Sequence, residues 1–283
     1  MKSLLITMIV LLSISKTVDA SVQIFNFDTR NYETLESLSL KLPGNAYYVL
    51  GEIHYSDKVQ QAQADFISQM VITHNSEQAF DVNWEFLNYK DQNKIQKEFQ
   101  RYSNNLINVE QFLEIFYQSR GNSYHPILAT VKKYKGNFFG VNASRKIKQK
   151  LIKNGLGSLS PEDIPPNMEM GSDLYLELFR KAMGGHVNEE QLIAYYLAQC
   201  YTDSVMSYYV NFFNVNPLSF LIVGAFHSDF NLGIVNALKK IGRQKTVNLK
   251  FVDKSTLSEN ELRMLLTPTR PFGKVADYLV LID

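Results

Sequence analysis

The chain contains one local arrangement twice, a short apolar run followed by Gly-x-x-His. Residues 47–54 read YYVLGEIH and residues 220–227 read FLIVGAFH. A short apolar run that ends at a glycine is typical of a buried strand. In an open parallel sheet, the residues just past the carboxyl ends of the strands line a shared crevice. The repeat therefore predicts that His54 and His227 meet at one edge of a parallel sheet.

Short apolar runs alternate with longer segments of helical period from about residue 45 onward. Strands are predicted at residues 47–50, 80–84, 138–141, 220–223, 249–252 and 278–282. Helices are predicted at residues 58–74, 90–102, 109–118 and 146–154, the last ending at Gly155. This alternation predicts an α/β fold, with a mostly parallel central sheet flanked by helices on both faces.

Residues 158–214 contain no convincing strand, which predicts a smaller all-helical insertion within one α/β domain over residues 21–283. Its longer helix is expected to begin at Asn188, which forms a capping-box pair with Gln191, and to run to about residue 209. Polar and apolar side chains recur at helical spacing on one face of this helix: Gln199, Asp203 and Met206.

The first twenty residues have the pattern of a secretory signal peptide. Lys2 precedes an apolar stretch, and small residues offer a cleavage site before Ser21. The apolar stretch is too short to predict a membrane span. We therefore expect an exported protein, periplasmic or secreted, which is not anchored through a lipid-modified cysteine near its amino terminus.

Charge and cysteine content exclude several classes of function. The formal net charge is +1, which gives no electrostatic reason to expect nucleic-acid binding. The chain has one cysteine, Cys200, so an internal disulfide and a cysteine-rich metal site are both excluded. Cys200 lies in a segment of helical pattern and is expected to be a buried apolar residue.

Four predicted strands end in side chains that suit a binding or catalytic site. They supply Glu52 with His54, Glu85, Asn142 with Arg145, and His227. Two imidazoles and a carboxylate are a ligand set for a divalent metal such as Mn, Co or Zn, so Glu52, His54 and His227 are candidate metal ligands. Glu85 would then be a general base, and Arg145 would stabilise developing negative charge.

Each of these groups also has a purely structural interpretation. A single histidine after a strand is more often a hydrogen-bonded structural residue, and Arg145 could simply begin a solvated basic helix. Glu85 favours a site because a carboxylate in an apolar segment is costly to bury without a partner. The sequence contains no Gly-x-Ser-x-Gly, phosphate-binding Gly-rich loop or His-Glu-x-x-His motif.

An ordered set of short motifs resembles the ChaN-like haem-binding uptake family. This family belongs to a wider group with the Tiki metalloproteases, the TraB-type proteins and the erythromycin esterases. The resemblance rests on residues 49–54 with Gln63, 84–86, 124–128, 142–145 with 155–156, 198–199 with Asp203 and Met206, 224–227 with 233–234, and 277–278.

This resemblance implies an exported protein of haem or iron acquisition. It implies haem held at a subunit interface by a tyrosine, hence a homodimer, and tyrosinate is a sound ligand for ferric iron. The helical segment offers six tyrosines: Tyr175, Tyr195, Tyr196, Tyr201, Tyr208 and Tyr209. Carried onto this chain, the ligand-binding residues would be Glu52, His54, Glu85, Arg145, Gln199, Asp203 and His227.

Two departures from the family pattern are visible. Val59, Gln60 and Gln61 stand where relatives often carry further histidines, and Val235 stands where a proline is common. Three functions therefore stay open at this point: a haem-binding protein of iron uptake, a metal-dependent peptidase or esterase, and a secreted binding module without catalysis.

Overall fold

A computed structural model describes residues 22–116, 121–242 and 244–283. The predicted signal peptide lies outside these residues. The strands are β1 (Val22–Asn26), β2 (Asn31–Glu33), β3 (Ala46–Glu52), β4 (Phe80–Asn88), β5 (Asn137–Asn142), β6 (Leu218–Gly224), β7 (Lys245–Asp253) and β8 (Tyr278–Ile282). They form one sheet in the order β2-β1-β8-β7-β3-β6-β4-β5.

The sheet is mostly parallel, as the sequence predicts. Every neighbouring pair from β8 to β5 is parallel, whereas β1 runs antiparallel to both β8 and β2. The sequence did not predict β1 and β2. β2 has only three residues and no buried side chain, so it carries no apolar run that could be recognised.

The helices are α1 (Leu35–Lys41), α2 (Asp57–Thr73), α3 (Gln92–Ser103), α4 (Val109–Phe116), α5 (His125–Lys133), α6 (Arg145–Asn154), α7 (Asp173–Met183), α8 (Glu189–Phe213), α9 (Ala225–Ser228), α10 (Gly233–Ile241) and α11 (Glu259–Leu266). The predicted end of α4 at residue 118 lies outside the described residues. No helix of the described residues is long and apolar enough to cross a membrane.

Alternating strand residues send side chains into two apolar layers, one on each face of the sheet. Tyr48 and Leu50 of β3 join the larger core, which also contains Phe66 and Ile67 of α2. Tyr47 and Val49 of the same strand face the other way and pack in a core with residues of α8 and α10. A strand with apolar residues at every position is the pattern of a sheet covered on both faces.

Local signals fix the ends of two predicted helices. The Asn188 side chain accepts a hydrogen bond from the Gln191 amide at 2.9 Å, and the Gln191 side chain accepts from the Asn188 amide at 3.2 Å. This is the predicted capping box at the start of α8. Gly155 ends α6 with φ of 74°, a value that L side chains rarely adopt.

Residues 158–214 contain α7 and α8 and no strand. Met206 and Val210 of α8 pack against the sheet, so this helix is part of the layer that covers the second face. Cys200 of the same helix is buried, as predicted. The division of the chain into one domain with an insertion stays a prediction.

Candidate functional site

The two Gly-x-x-His turns are neighbours at the carboxyl edge of the sheet. β3 and β6 pair in parallel, with Gly51 opposite Val223 and Glu52 opposite Gly224. Each turn leaves its strand at the same level, so His54 and His227 reach the same edge. The predicted convergence is therefore present in the fold.

The two motif glycines make room for the opposite turn. A Cβ atom on Gly224 would lie 2.8 Å from Nε2 of His54, and one on Gly51 would lie 2.3 Å from Oγ of Ser228, the residue after His227. Neither glycine has a positive φ. Lack of space for a Cβ atom therefore explains these two glycines, and conformational freedom does not.

The first turn presents a half-exposed imidazole on a buried carboxylate. Nδ1 of His54 lies 3.0 Å from Oε1 of Glu52, whose side chain is fully buried, whereas the His54 side chain is 33% exposed. Gln60 donates to Oε2 of Glu52 at 2.7 Å, and the Tyr124 hydroxyl donates to Oε1. Burial alone would lower the pKa of His54, but the hydrogen bond to Glu52 and the charge of Glu85 raise it.

The second turn presents a buried imidazole between two carboxylates. Nδ1 of His227 lies 2.6 Å from Oδ1 of Asp203, and Nε2 lies 3.3 Å from Oε1 of Glu85. Burial alone would lower the pKa of His227, but the charges of Glu85 and Asp203 raise it to about 10. His227 is therefore an imidazolium at neutral pH, with both ring nitrogens donating.

The partners of His227 are themselves held by neutral groups. The Tyr175 hydroxyl donates to Oδ2 of Asp203 at 2.8 Å, and the Gly224 amide donates to Oε2 of Glu85 at 2.7 Å. The Gln199 side-chain amide donates to the Tyr175 hydroxyl at 3.0 Å and also contacts the His227 ring.

The pKa values of the two carboxyl groups move apart. Burial would raise the pKa of Glu85, but the neighbouring His227 imidazolium lowers it to about 2. Burial dominates at Asp203 and raises its pKa, against the attraction of the same imidazolium. Glu85 is thus the carboxylate that stays charged over the widest pH range.

Comparison with known proteins places this chain in a family. The family described as "Haem-binding uptake, Tiki superfamily, ChaN" matches residues 39–238, which include both turns and most of the sheet. The chain belongs to this family. No curated protein matches the sequence.

Several solved structures align with this chain. The structure titled "Cofacial heme binding to ChaN of Campylobacter jejuni" aligns with a TM-score of 0.70 and 19% identity, covering 93% of this chain and 97% of that chain. The type III effector HopBA1 aligns with a TM-score of 0.48 and 10% identity, covering 95% and 98%. An erythromycin esterase, EreC, aligns with a TM-score of 0.48 and 11% identity, covering 93% and 83%. At these identities the likeness concerns the fold alone.

Six of the seven residues predicted to bind the ligand lie together at the carboxyl edge of the sheet, and we call this group the crevice: Glu52, His54, Glu85, Gln199, Asp203 and His227. Arg145 is the exception. It is exposed at the first position of α6, and its guanidinium has no hydrogen bond or ion pair with any residue that the structure describes. Lys148 lies one turn further along α6. Burial lowers the pKa of Lys148, and the nearby charge of Glu85 partly opposes that effect.

The predicted metal ligands Glu52, His54 and His227 lie at the same edge of the sheet, and their role as metal ligands stays a prediction. No group of three or more His, Cys, Asp or Glu side chains in the described part of the chain is arranged to hold a metal ion. Both nitrogens of His227 face carboxylates, and Glu52 already contacts Gln60, Tyr124 and His54.

Beside His54 lies an apolar rim, which we define as Ile53, Tyr55 and Phe86. Ile53 is 59% exposed and Tyr55 is 36% exposed. The Tyr55 and Phe86 rings stack with centroids 5.7 Å apart, and Phe86 lies 4.6 Å from the His54 ring. Tyr55 has φ of 66°, an uncommon conformation for an aromatic residue and a kind of strain that is found at functional sites.

Of the six tyrosines in the helical segment, three are buried with occupied hydroxyls. Tyr175, Tyr196 and Tyr201 donate to Asp203, to the Ser172 carbonyl and to the Asp163 carbonyl. Tyr209 stacks on Tyr89 with centroids 3.9 Å apart, and Tyr208 contacts Tyr209. Tyr195 is half-exposed and lies one helical turn before Gln199, on the face of α8 that contacts His227.

Sequence reasoning missed Gln60, Tyr124, Lys148 and Tyr55 as parts of the site. Gln60 had a usable signal, since it is a polar residue next to Val59 on the buried face of a predicted amphipathic helix. Tyr124 belongs to a motif that the resemblance already used. Lys148 and Tyr55 had no comparable signal, because burial and backbone conformation single them out.

Proposed function

We propose that this protein binds haem at the apolar rim beside His54 and acts outside the cytoplasm in haem or iron acquisition. The observation that carries the proposal is the family match over residues 39–238. This range includes every residue of the crevice and leaves out β1, β2, β7 and β8. The chemistry of the rim agrees with such a ligand, because a porphyrin offers a flat apolar face and an iron that takes oxygen or nitrogen ligands.

The residues at the rim fit haem better than they fit a bare metal ion. Ile53 and Tyr55 expose apolar surface next to Phe86, and burying such surface under a porphyrin stabilises the complex by about 25 cal/mol per Å². Bound haem supplies a ferric iron, for which a phenolate is a suitable ligand. Tyr55 is our first candidate for that ligand and Tyr195 is the second.

His54 has a separate part in this proposal. Its Nδ1 is held by Glu52, and its Nε2 lies on the side of Gly224. Glu52 fixes the ring orientation, in the way that a carboxylate orients a metal-bound histidine from the far side. We propose that His54 hydrogen-bonds to the iron ligand or accepts the proton that the phenol loses.

Titration with haemin tests the proposal. The wild-type protein should give a saturable Soret shift at micromolar haemin. Tyr55→Phe should remove the tyrosinate signature from the spectrum, and Tyr195→Phe tests the second candidate. Tyr208 lies on α8, like Tyr195, but outside the crevice. Tyr208→Phe is therefore the matched control and should behave as wild type. The absence of any saturable shift in the wild-type protein would overturn haem binding.

Export is tested independently of haem. Residues 1–20 have a signal-peptide pattern, so the full chain expressed in bacteria should be recovered outside the cytoplasm and should begin at Ser21. A variant without residues 2–20 should stay inside the cell. Retention of the full chain in the cytoplasm, with its amino terminus intact, would refute export.

We also propose that haem favours a homodimer. A porphyrin on an exposed rim keeps one face in contact with water, and a second copy of the chain would cover it. Light scattering with and without haemin measures this directly, and an unchanged monomer mass in the haem-saturated protein would contradict it.

A further inference from the structure

Lys148 differs from the other basic residues of its helix by its position. Arg145, Lys146 and Lys150 are exposed, whereas Lys148 is half-buried on the side of α6 that approaches the crevice. Its ammonium donates to Oδ1 of Asn142, the last residue of β5, at 3.3 Å. Lys148 therefore places a positive charge beside the carboxyl edge of the sheet, next to the strand that carries Glu85.

The Lys148 ammonium can donate three hydrogen bonds. Within the part of the chain that the structure describes, its hydrogen bond to Asn142 is the only one, and no carboxylate lies within ion-pair distance. Glu85 is close enough for its charge to act on Lys148, yet its two oxygens already face His227 and the Gly224 amide. Burial lowers the pKa of Lys148, and the charge of Glu85 opposes that effect only in part.

A half-buried cation without an ion-pair partner is costly, and an anionic group from a ligand would offset that cost. Carboxylates of the protein cannot supply it, because the crevice carboxylates are paired with His54 and His227. In the strand order β3-β6-β4-β5, the apolar rim follows β3 and lies on β4, whereas Lys148 bonds to Asn142 at the end of the edge strand β5. A ligand that lies along this edge would contact apolar surface at the rim and the positive charge of Lys148.

We propose that Lys148 binds a carboxylate of the ligand and makes the site selective for porphyrins with free propionates. This inference rests on the proposed function, and it names the ligand group that the crevice recognises beyond the iron. Haem has this distribution of groups, since its propionates extend from one side of an otherwise apolar ring.

Haemin and its dimethyl ester distinguish this role, because the ester keeps the ring and the iron and loses both negative charges. Wild-type protein should bind haemin at least about tenfold more tightly than the ester, as expected for one charge-assisted hydrogen bond. Lys148→Met keeps most of the unbranched apolar stem and removes the charge, so it should bind both porphyrins equally. Lys148→Arg should retain the preference, and Lys146→Met, an exposed neighbour, should match wild type.

Three outcomes would overturn the inference. Equal binding of the two porphyrins by the wild-type protein would show that propionates are not recognised. An unchanged preference in Lys148→Met, with both affinities at the wild-type level, would assign recognition to another residue. An equal loss of affinity for haemin and ester in Lys148→Met would show that Lys148 acts only on the fold or on Glu85. If the wild-type protein binds neither porphyrin, the proposed function itself fails, which is a different result from all three.

Discussion

The two Gly-x-x-His turns have the same spacing, follow neighbouring strands and end at the same edge, yet their imidazoles are in opposite environments. His54 is 33% exposed and rests on one carboxylate, whereas His227 is 11% exposed and lies between two. The pKa of both rings is raised, but only that of His227 reaches about 10. One turn therefore presents an accessible imidazole, and the other a buried positive charge.

The difference comes from residues far away in the sequence. Gln60 and Tyr124 donate to Glu52, which holds Nδ1 of His54, and the His54 ring stays partly exposed. Asp203 from α8 and Glu85 from β4 enclose His227. A repeated motif thus fixes where an imidazole lies, whereas its protonation and its access to ligands are set by elements that the motif does not contain.

Removing each histidine should have unequal effects on stability. His227→Ala leaves Asp203 and Glu85 buried without their shared cation, so we expect the free energy of unfolding to fall by about 3–5 kcal/mol. His54→Ala should cost about 1 kcal/mol, because Glu52 keeps its hydrogen bonds from Gln60 and Tyr124. Urea denaturation at pH 7 measures both, and equal losses would contradict the assigned difference.

The raised pKa of His227 predicts a loss of stability in mild alkali. The ring is charged in the folded protein up to about pH 10 but loses its proton near pH 6.5 in the unfolded chain. The stabilisation is complete below pH 6.5 and declines as the pH rises toward 10, by up to about 1.4 kcal/mol per pH unit. Urea denaturation between pH 6.5 and 9 should show this slope, and Asp203→Asn should flatten it. A wild-type protein with constant stability over this range would refute the buried imidazolium.

The two motif glycines should also tolerate a methyl group differently. Gly224→Ala pushes Cβ against the His54 ring, so we expect a loss of about 1–3 kcal/mol and a His54 pKa that returns toward 6.5 as the contact with Glu52 is disturbed. Gly51→Ala meets the Ser228 hydroxyl, which can rotate away by giving up its bond to the Ala225 carbonyl. Its cost should be smaller.

A second substitution separates steric from conformational causes at Gly51. In the double variant Gly51→Ala/Ser228→Ala the clashing oxygen is gone, so unfolding should cost no more than in Ser228→Ala alone. Thermal denaturation compares the three variants. A persistent penalty in the double variant would mean that the backbone at Gly51 needs a glycine for its own conformation.

Much of this arrangement follows from the sequence, because apolar runs are strong signals. The six predicted strands and their common edge are present, and so are the capping box at Asn188 and the stop at Gly155. The helical spacing of Gln199 and Asp203 along α8 also placed these two residues on one face. Met206, on the same face, instead joins the apolar core against the sheet.

The parts that the sequence did not predict depend on burial across long separations. Arg145 and Lys148 are neighbours on one helix, and nothing local shows that the second approaches Glu85 while the first faces solvent. The surroundings of His227 were not visible locally for a similar reason, since its carboxylate partners come from α8 and β4. Whether Arg145 contributes to ligand binding stays a prediction.

The central claim is that the ligand binds on the open side of the crevice, beside His54, and not at the enclosed His227. Anomalous scattering at the iron edge from crystals of the haem-saturated protein tests it most directly. We predict an iron peak within coordination distance of a tyrosine hydroxyl at the crevice, at Tyr55 or Tyr195, on the His54 side. A peak bonded to His227, or one beside Tyr208 at the far end of α8, would contradict the account.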